Sequence, residues 1–462
     1  MKRMMINLLV FINLCILCYF IFSLVAYTIL LIYSFPEIIA SYKLSKYTNI
    51  YSIINKKHLP PVTVLIPAYK VEQTLANAVW SALKSEYPNL YVIVILDGDP
   101  DGKTFNAITE IFKFEKLELI NEEPIKTAKV NQGYISKTHS HLMLIDKEHF
   151  GVGDALNVGL NLCFTPYVMI LDADSVMEPD AISEMIHYML SNEHTIAVGG
   201  GVYLLNDCKV HQGKIVEANL PKRWISALQI NEYMRSHLFN RTAWNRFGGT
   251  MSYSGTATLF QRQALLNVNG FDTSNFSQDA EVIIKLHEYY RRNKIDYRIG
   301  FTPKAAIWTM TPNNIKSYTI QQNHWRRGLL RSTLRYWYMF LNPRYKIQGL
   351  ISYPFYMLLE ILAPYVEFTA YVCVFIAYYI GILNGYSALL YMILAWGFSS
   401  YLSLASAFIN LITFNKYRKF NDVLKIFGLS IIDMAGFRQY LTTVKVWASF
   451  HYIINRISGK PQ

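Results

Sequence analysis

Asp172 and Asp174 are the residues of this chain best placed, by type and spacing, to do chemistry. They close the run Pro166-Tyr-Val-Met-Ile-Leu-Asp-Ala-Asp174. In an extended segment, residues two apart point the same way, so both carboxylates can serve one place at the carboxyl end of a buried strand. Open α/β sheets bind ligands at that end. Hard divalent cations take oxygen ligands, and Mg²⁺ commonly uses one or two carboxylates together with substrate phosphates. Alone, the tripeptide is equally well read as two solvated loop aspartates.

Other segments offer complementary groups. One strand ends in Ile66-Pro-Ala68-Tyr69-Lys-Val-Glu72 and another in Leu96-Asp97-Gly98. In a parallel sheet both stop at the same edge, where a carboxylate can accept the N3 hydrogen of a uracil ring and an aromatic can stack on it. A plain turn explains Asp97-Gly98 as readily. Gly153-Asp154-Ala-Leu-Asn-Val-Gly159 opens a helix whose free N–H groups suit a phosphate, although Asp154 also reads as a simple cap. Asp279 falls in the first turn of a helix begun by Ser277-Gln278. It is either an acid favoured by the helix dipole or a general base for an acceptor hydroxyl. Gln321-Gln-Asn-His324-Trp325-Arg326-Arg327-Gly328 joins an indole face for a sugar ring to guanidiniums able to neutralise a diphosphate. The alternative is a basic helix lying on a membrane surface. His139, His141 and His149 show no metal-ligand spacing.

The elements that must position these groups follow from pattern. Val62–Ile66, Tyr91–Leu96, Leu117–Ile120, Tyr167–Leu171 and Ala197–Tyr203 read as strands, and Gln73–Lys84, Asp154–Asn161, Asp180–Leu190 and Asp279–Arg292 as helices. Alternation of the two argues for an α/β fold with a parallel sheet. Hydrophobic residues make up 52% of the 462 and charged ones only 16%, which points to a membrane component. Ile6 to Tyr33 carries no charge; as a helix it spans roughly 42 Å against a hydrocarbon core of ~30 Å. It reads as an anchor rather than a cleaved leader. Val366–Leu383 and Tyr386–Phe414, parted by Asn384-Gly385, read as a spanning hairpin, with Ile347–Ala363 and Val423–Ile457 lying in the interface. The expected division is 1–42 anchor, 43–345 catalytic domain and 346–462 interfacial helices and hairpin. The net charge of +12 fits a positive-inside bias better than nucleic-acid binding. The basic residues cluster beside apolar runs, as with Lys43, Lys46, Lys56 and Lys57, and again with Lys416, Arg418 and Lys419. The catalytic stretch is therefore expected at the cytoplasmic face. Five scattered cysteines make no disulfide framework.

Together and in this order, the segments resemble the membrane-embedded family 2 glycosyltransferases, the group that includes cellulose and hyaluronan synthases. The likeness covers Pro60 to Pro343 and weakens towards Arg456; a Trp-x-x-Gly-Leu step at Trp325–Leu329 followed by Asn342-Pro-Arg-Tyr345 is similar to bacterial members. The resemblance implies an inverting, Mg²⁺- or Mn²⁺-dependent transferase of the GT-A type. Its Rossmann-like sheet would move a sugar from a UDP-sugar to a carbohydrate or lipid-linked hydroxyl at the membrane, in polysaccharide or glycolipid synthesis. It implies that Ala68, Tyr69, Glu72, Asp97, Asp154 and Asp172 hold the nucleotide, that Asp174 binds the metal and that Asp279 is the base. Ser254 and Gly255 would border the acceptor with Trp325, and Gln321, His324, Arg326 and Arg327 would serve acceptor and diphosphate. A homo-oligomer or a polysaccharide export partner is left open.

Three positions depart from the family pattern. His324 stands for the Arg of Gln-x-x-Arg-Trp, Gln278 for the acid before the base, and Val152 for a Lys. They motivate one alternative, a nucleotide-binding scaffold of little activity; the interfacial segments near the site allow another, a transferase placing one sugar on a polyprenyl phosphate.

Overall fold

The computed structural model describes residues 2–47, 59–119, 124–275, 277–382, 385–414, 416–417, 419–433 and 436–458. Of the residues named above, Lys56, Lys57, Ile120, Leu383, Asn384 and Arg418 lie outside these. Runs rich in Val, Ile and Leu form the strands β1 (Val62–Ala68), β2 (Leu90–Asp97), β3 (Phe114–Leu117), β4 (Val130–Ser136), β5 (Leu142–Lys147), β6 (Tyr167–Ile170), β7 (Ser175–Met177) and β8 (Thr195–Leu204). A two-stranded ribbon, β9 (Lys209–His211) and β10 (Lys214–Glu217), precedes β11 (Thr258–Gln261) and β12 (Arg298–Thr309). The main sheet runs β3-β4-β5-β2-β1-β6-β11-β8-β12-β7. Its heart, β5-β2-β1-β6, is parallel, and only β4, β11 and β7 oppose the common direction.

The helices are α1 (Lys2–Tyr47), α2 (Leu75–Leu83), α3 (Lys103–Phe112), α4 (Val152–Leu162), α5 (Ala181–Ser191), α6 (Trp224–Arg235), α7 (Arg262–Asn267), α8 (Gln278–Arg292) and α9 (Ile315–Arg335). After them come α10 (Ala363–Tyr379), α11 (Gly385–Thr413), α12 (Phe420–Ile432) and α13 (Phe437–Ile457). Side chains alternate across a strand, and the two cores follow that rule. Val62, Val64, Ile66, Val92 and Val94 meet α2 and α5 on one face. Leu65, Ile93, Ile95, Val168 and Ile170 meet α4 and α8 on the other. Asp97 continues Ile93 and Ile95, and Asp172 continues Val168 and Ile170, so the same parity assigns both carboxylates to the α4–α8 side.

Among the described residues, two helices are long and apolar enough to cross a membrane, Ile6–Ala40 and Gln348–Tyr379. The second runs through the break expected near Ala363. Pro354 and Pro364 lie in it, and π turns at Gln348–Ser352 and Met357–Ile361 adjoin them; such turns accommodate a proline's missing N–H and bulk. Charged side chains tie the C-terminal helices to the sheet domain: Asp433 accepts from Arg235 at 3.1 Å, Glu217 from Lys419 at 2.7 Å, and Glu178 from Lys416. Asp433 is buried in that contact.

Candidate active site

Strand register brings the first residues together. Ala68 pairs with Leu96 across β1–β2, and Leu65 with Ile170 across β1–β6. Ala68, Asp97 and Asp172 therefore share the carboxyl edge of the sheet. Two strand spacings put the Asp97 and Asp172 strands about 10 Å apart.

Asp97 is 3% exposed and fully engaged. Its Oδ1 accepts from Lys147 Nζ at 2.5 Å and the Phe150 N–H at 3.0 Å. Its Oδ2 accepts from the Gly151 N–H at 2.8 Å, and His149 Nδ1 stands 2.8 Å from the same oxygen while donating to the Asp97 backbone carbonyl at 2.7 Å. Oδ1 thus has both lone pairs occupied. Burial would raise this carboxyl, but Lys147 and the Phe150 and Gly151 N–H groups outweigh it and hold it below its usual range. Lys147, itself wholly buried, also bridges Asp154 at 2.9 Å and donates to the Glu148 carbonyl at 2.6 Å. Asp154 is thus a buried partner of Lys147 that also accepts from the Ala128 N–H at 3.1 Å, and its side chain does not cap α4. Gly98 has φ +80°, and a Cβ there would lie 2.7 Å from His149 Cβ, so glycine lets these two loops meet. Tyr69, 42% exposed, stacks on the His149 ring with centroids 4.4 Å apart. Glu72 accepts from Thr104 Oγ1 at 3.4 Å.

Asp172, Asp174 and Asp279 form a second group. Burial first, and then the charges of Asp174 and Asp279, push the Asp172 carboxyl well above the carboxylate range. Burial also raises Asp174, against the hydroxyls of Thr309 at 3.3 Å and Ser175 at 3.4 Å. The Ser254-Gly255-Thr256 turn connects the group: Thr256 Oγ1 accepts from the Asp172 N–H at 3.1 Å, and Gly255 lies against the Asp279 side chain. Asp279 opens α8 as expected. Burial raises it, opposed by the Ala280 N–H and the guanidinium of Arg241. Among the described residues, no Lys or Arg forms an ion pair with Asp172 or Asp174, and no three His, Cys, Asp or Glu side chains converge to ligate a metal. An oxygen-only pair with unbalanced negative charge fits a hard divalent cation that completes its shell with phosphate or water oxygens.

α9 approaches this group at Gly328, where a Cβ would sit 2.3 Å from Ser277 Oγ. That contact explains the glycine of the Trp-x-x-Gly step. Trp325, one turn earlier, is 41% exposed, and the Gln321 Oε1 is buried without a partner. Burial and neighbouring Arg327 lower the His324 pKa, which favours its neutral form. Arg326 departs from expectation. Its Nε donates to Ser449 Oγ at 2.9 Å, and its two terminal nitrogens donate to the carbonyls of Glu360 at 3.3 Å and Ile361 at 2.6 Å. It clamps α9 to α13 and to the Met357–Ile361 turn, and is not placed to meet a diphosphate.

Three further residues carry no sequence motif yet stand in the site: Lys147, His149 and Arg241. Arg241 ends a π turn (Ser236–Arg241) and lines a cavity of about 110 Å³ with Asn240, Ser252, Ser352, Phe355 and Tyr356. Its Nη1 and the Ser352 Oγ are buried there without hydrogen-bond partners.

Residues 60–328 match the family described as "Glycosyltransferase like family 2". The poly-beta-1,6-N-acetyl-D-glucosamine synthase of Staphylococcus epidermidis is 26% identical over 267 residues, 58% of this chain and 54% of that protein. The synthase of the same name from Staphylococcus aureus (strain COL) is 25% identical over 276 residues, 60% of this chain and 56% of that one. The chain thus spans about half the length of these curated relatives. In fold it is similar to the mannosyltransferase PcManGT from Pyrobaculum calidifontis, solved in complex with GDP-Man and Mn²⁺. The TM-score is 0.50 at 16% identity, over 90% of this chain and 99% of that one. The match takes in both the Asp97 and Asp172 clusters, and with more than half its length covered this chain belongs to glycosyltransferase family 2.

Proposed function

We propose that the protein is an inverting glycosyltransferase that moves a sugar from a UDP-sugar to an acceptor hydroxyl at the cytoplasmic face of the membrane. The observation that carries this is the grouping of Asp172, Asp174 and Asp279 around the Ser254–Thr256 turn. Asp279 stands on the acceptor side. Its raised carboxyl is a better base than a solvated aspartate. In a single in-line displacement the acceptor oxygen bonds to the anomeric carbon, Asp279 Oδ takes the acceptor proton, and the bond from that carbon to the diphosphate oxygen breaks with its electron pair leaving on the nucleoside diphosphate. Asp172 and Asp174 would hold a Mg²⁺ or Mn²⁺ ion, which supplies neutralisation of the diphosphate charge. Tyr69 offers a face to the base, and Trp325 one to the acceptor sugar.

The acceptor end is assigned to the cavity beside Arg241. Buried polar atoms are almost always paired, and a hydroxyl-rich chain end would pair Arg241 Nη1 and Ser352 Oγ while lying on Phe355 and Tyr356. The same guanidinium supports a second reading, a polyprenyl phosphate acceptor. Ile6–Ala40 and Gln348–Tyr379 would cross the bilayer, with residues 43–345 forming the catalytic domain. The transferred sugar suggested by the synthases is N-acetylglucosamine.

The test is Mn²⁺-stimulated release of nucleotide from a donor panel that includes UDP-N-acetylglucosamine and GDP-mannose, using purified protein in lipid. Release that Asp279→Asn abolishes supports the reading. Nucleotide binding without release from any donor, with lipid extracts supplied, would favour a scaffold. A ladder of chain lengths against a single sugar on lipid decides between the two acceptors.

A further inference from the structure

The four groups around the Asp97 carboxylate are unequal. Three are fixed: the Phe150 and Gly151 N–H groups belong to the backbone, and Lys147 is wholly buried and spends its other two donors on Asp154 and the Glu148 carbonyl. The fourth is the His149 imidazole, whose side chain is 55% exposed. Its Nδ1 faces two acceptors, Asp97 Oδ2 at 2.8 Å and the Asp97 carbonyl at 2.7 Å, so that nitrogen carries the proton. The ring lies nearly parallel to Tyr69, tilted by 22°. A flat heterocycle, stacked on Tyr69 and donating a ring N–H to Asp97, is also how a pyrimidine base would be held here. The 4.4 Å between the Tyr69 and His149 centroids leaves no room for a base between them, because two stacked contacts need about twice the ~3.5 Å of a single atom contact.

We propose that His149 is an internal mimic of the nucleobase, occupying the base slot through the same two contacts and turning out towards solvent when the nucleotide binds. The inference rests on the reading that the uridine lies against Tyr69 and Asp97. Outward rotation breaks the bond to the Asp97 carbonyl, uncovers Asp97 Oδ2 and one face of Tyr69, and leaves the buried Lys147 ion pairs intact. His149 therefore lowers nucleotide affinity by self-competition, and the loop 148–151 sets how readily the slot opens.

The experiment is calorimetric binding of UDP, with Mn²⁺, to the full chain in lipid nanodiscs. His149→Ala should bind UDP about tenfold more tightly than the natural protein, which corresponds to about 1.4 kcal/mol. His149→Phe, which keeps the stack and loses the donor, should fall between. Unchanged or weaker binding by His149→Ala overturns the proposal, weaker binding meaning that the base stacks on the imidazole instead. Should His149→Ala fold poorly, diethyl pyrocarbonate labelling of His149 in the natural protein decides: UDP should raise its reactivity, and protection or no change overturns the proposal. Tyr69→Ala separates the levels. If it leaves UDP affinity untouched, the base lies elsewhere and the underlying reading falls with the mimic; if it weakens binding while His149→Ala does not strengthen it, only the mimic falls.

Discussion

Replacing Lys147 with methionine keeps most of the side-chain volume and removes the one cation shared by Asp97 and Asp154. Both contacts, at 2.5 and 2.9 Å, lie in a wholly buried setting, where breaking a pair by deleting one partner costs about 3–5 kcal/mol. At an unfolding entropy of about 2 cal/mol/K per residue over roughly 300 residues, 1 kcal/mol moves Tm by about 1.6 °C, so the expected fall is roughly 5–8 °C. The loss comes from stranding charge, so it should be partly repaired by neutralising one of the stranded groups. Lys147→Met/Asp154→Asn should recover a third or more of the fall, whereas Asp154→Asn in the natural background should lower Tm. Intrinsic-fluorescence melting of the four proteins in one detergent gives the full cycle. A Lys147→Met melt within 2 °C of the natural protein, or a double variant no better than the single, would refute the claim that this lysine balances two buried carboxylates.

Gly328→Ala should destabilise even though alanine is the better helix former by about 1 kcal/mol, because the added carbon meets Ser277 Oγ at 2.3 Å and its backbone nitrogen at 2.7 Å; a raised Tm would contradict the packing argument. His287 accepts from the Tyr297 hydroxyl at 2.6 Å and donates to the Thr250 carbonyl at 3.0 Å, and burial lowers its pKa to about 4. Its unfolded form binds the extra proton first, so its contribution is complete above pH 6.5 and is lost, up to about 3 kcal/mol, as pH falls towards 4; His287→Gln should flatten the acid limb of a Tm–pH curve between those values. Arg326→Met should lower thermal stability and leave the Mn²⁺ dependence of nucleotide release unchanged, which titration of Mn²⁺ against initial rate would check.

Much of the sheet was legible because its central strands are continuous apolar runs. Tyr91–Leu96 and Tyr167–Leu171 sit within a residue or so of β2 and β6. β3 lies three residues before the expected Leu117–Ile120, since Phe114-Glu-Lys-Leu alternates weakly at a half-exposed edge. β4, the central strand β5, β7, the β9–β10 ribbon, β11 and β12 escaped notice. β4 carries Asn131, Gln132 and Gly133, and β11 is only four residues long. The carboxylates were readable because each follows an apolar run or opens a helix. Their partners were not: nothing local announces that Lys147 pairs in register with Asp97, or that Arg241, from a π turn, reaches the charge of Asp279. The expectation for Arg326 failed for a related reason. A helix face is chosen by what packs on it, and Ser449 and the Glu360 and Ile361 carbonyls lie over a hundred or some thirty residues away in sequence.

α9 is held at two points one half-turn apart. Gly328 seats it on the start of α8, and Arg326 bolts it to carbonyls that a π turn frees in the long apolar rod Gln348–Tyr379. A helix gripped this way transmits displacement. If that rod tilts to match a thicker or thinner bilayer, α9 must follow, and the start of α8 with it. With Gln348–Tyr379 in the bilayer, as proposed, the position of Asp279 would be geared to the thickness of the surrounding lipid, and the turnover rate of the protein reconstituted into bilayers of graded acyl-chain length should track that thickness.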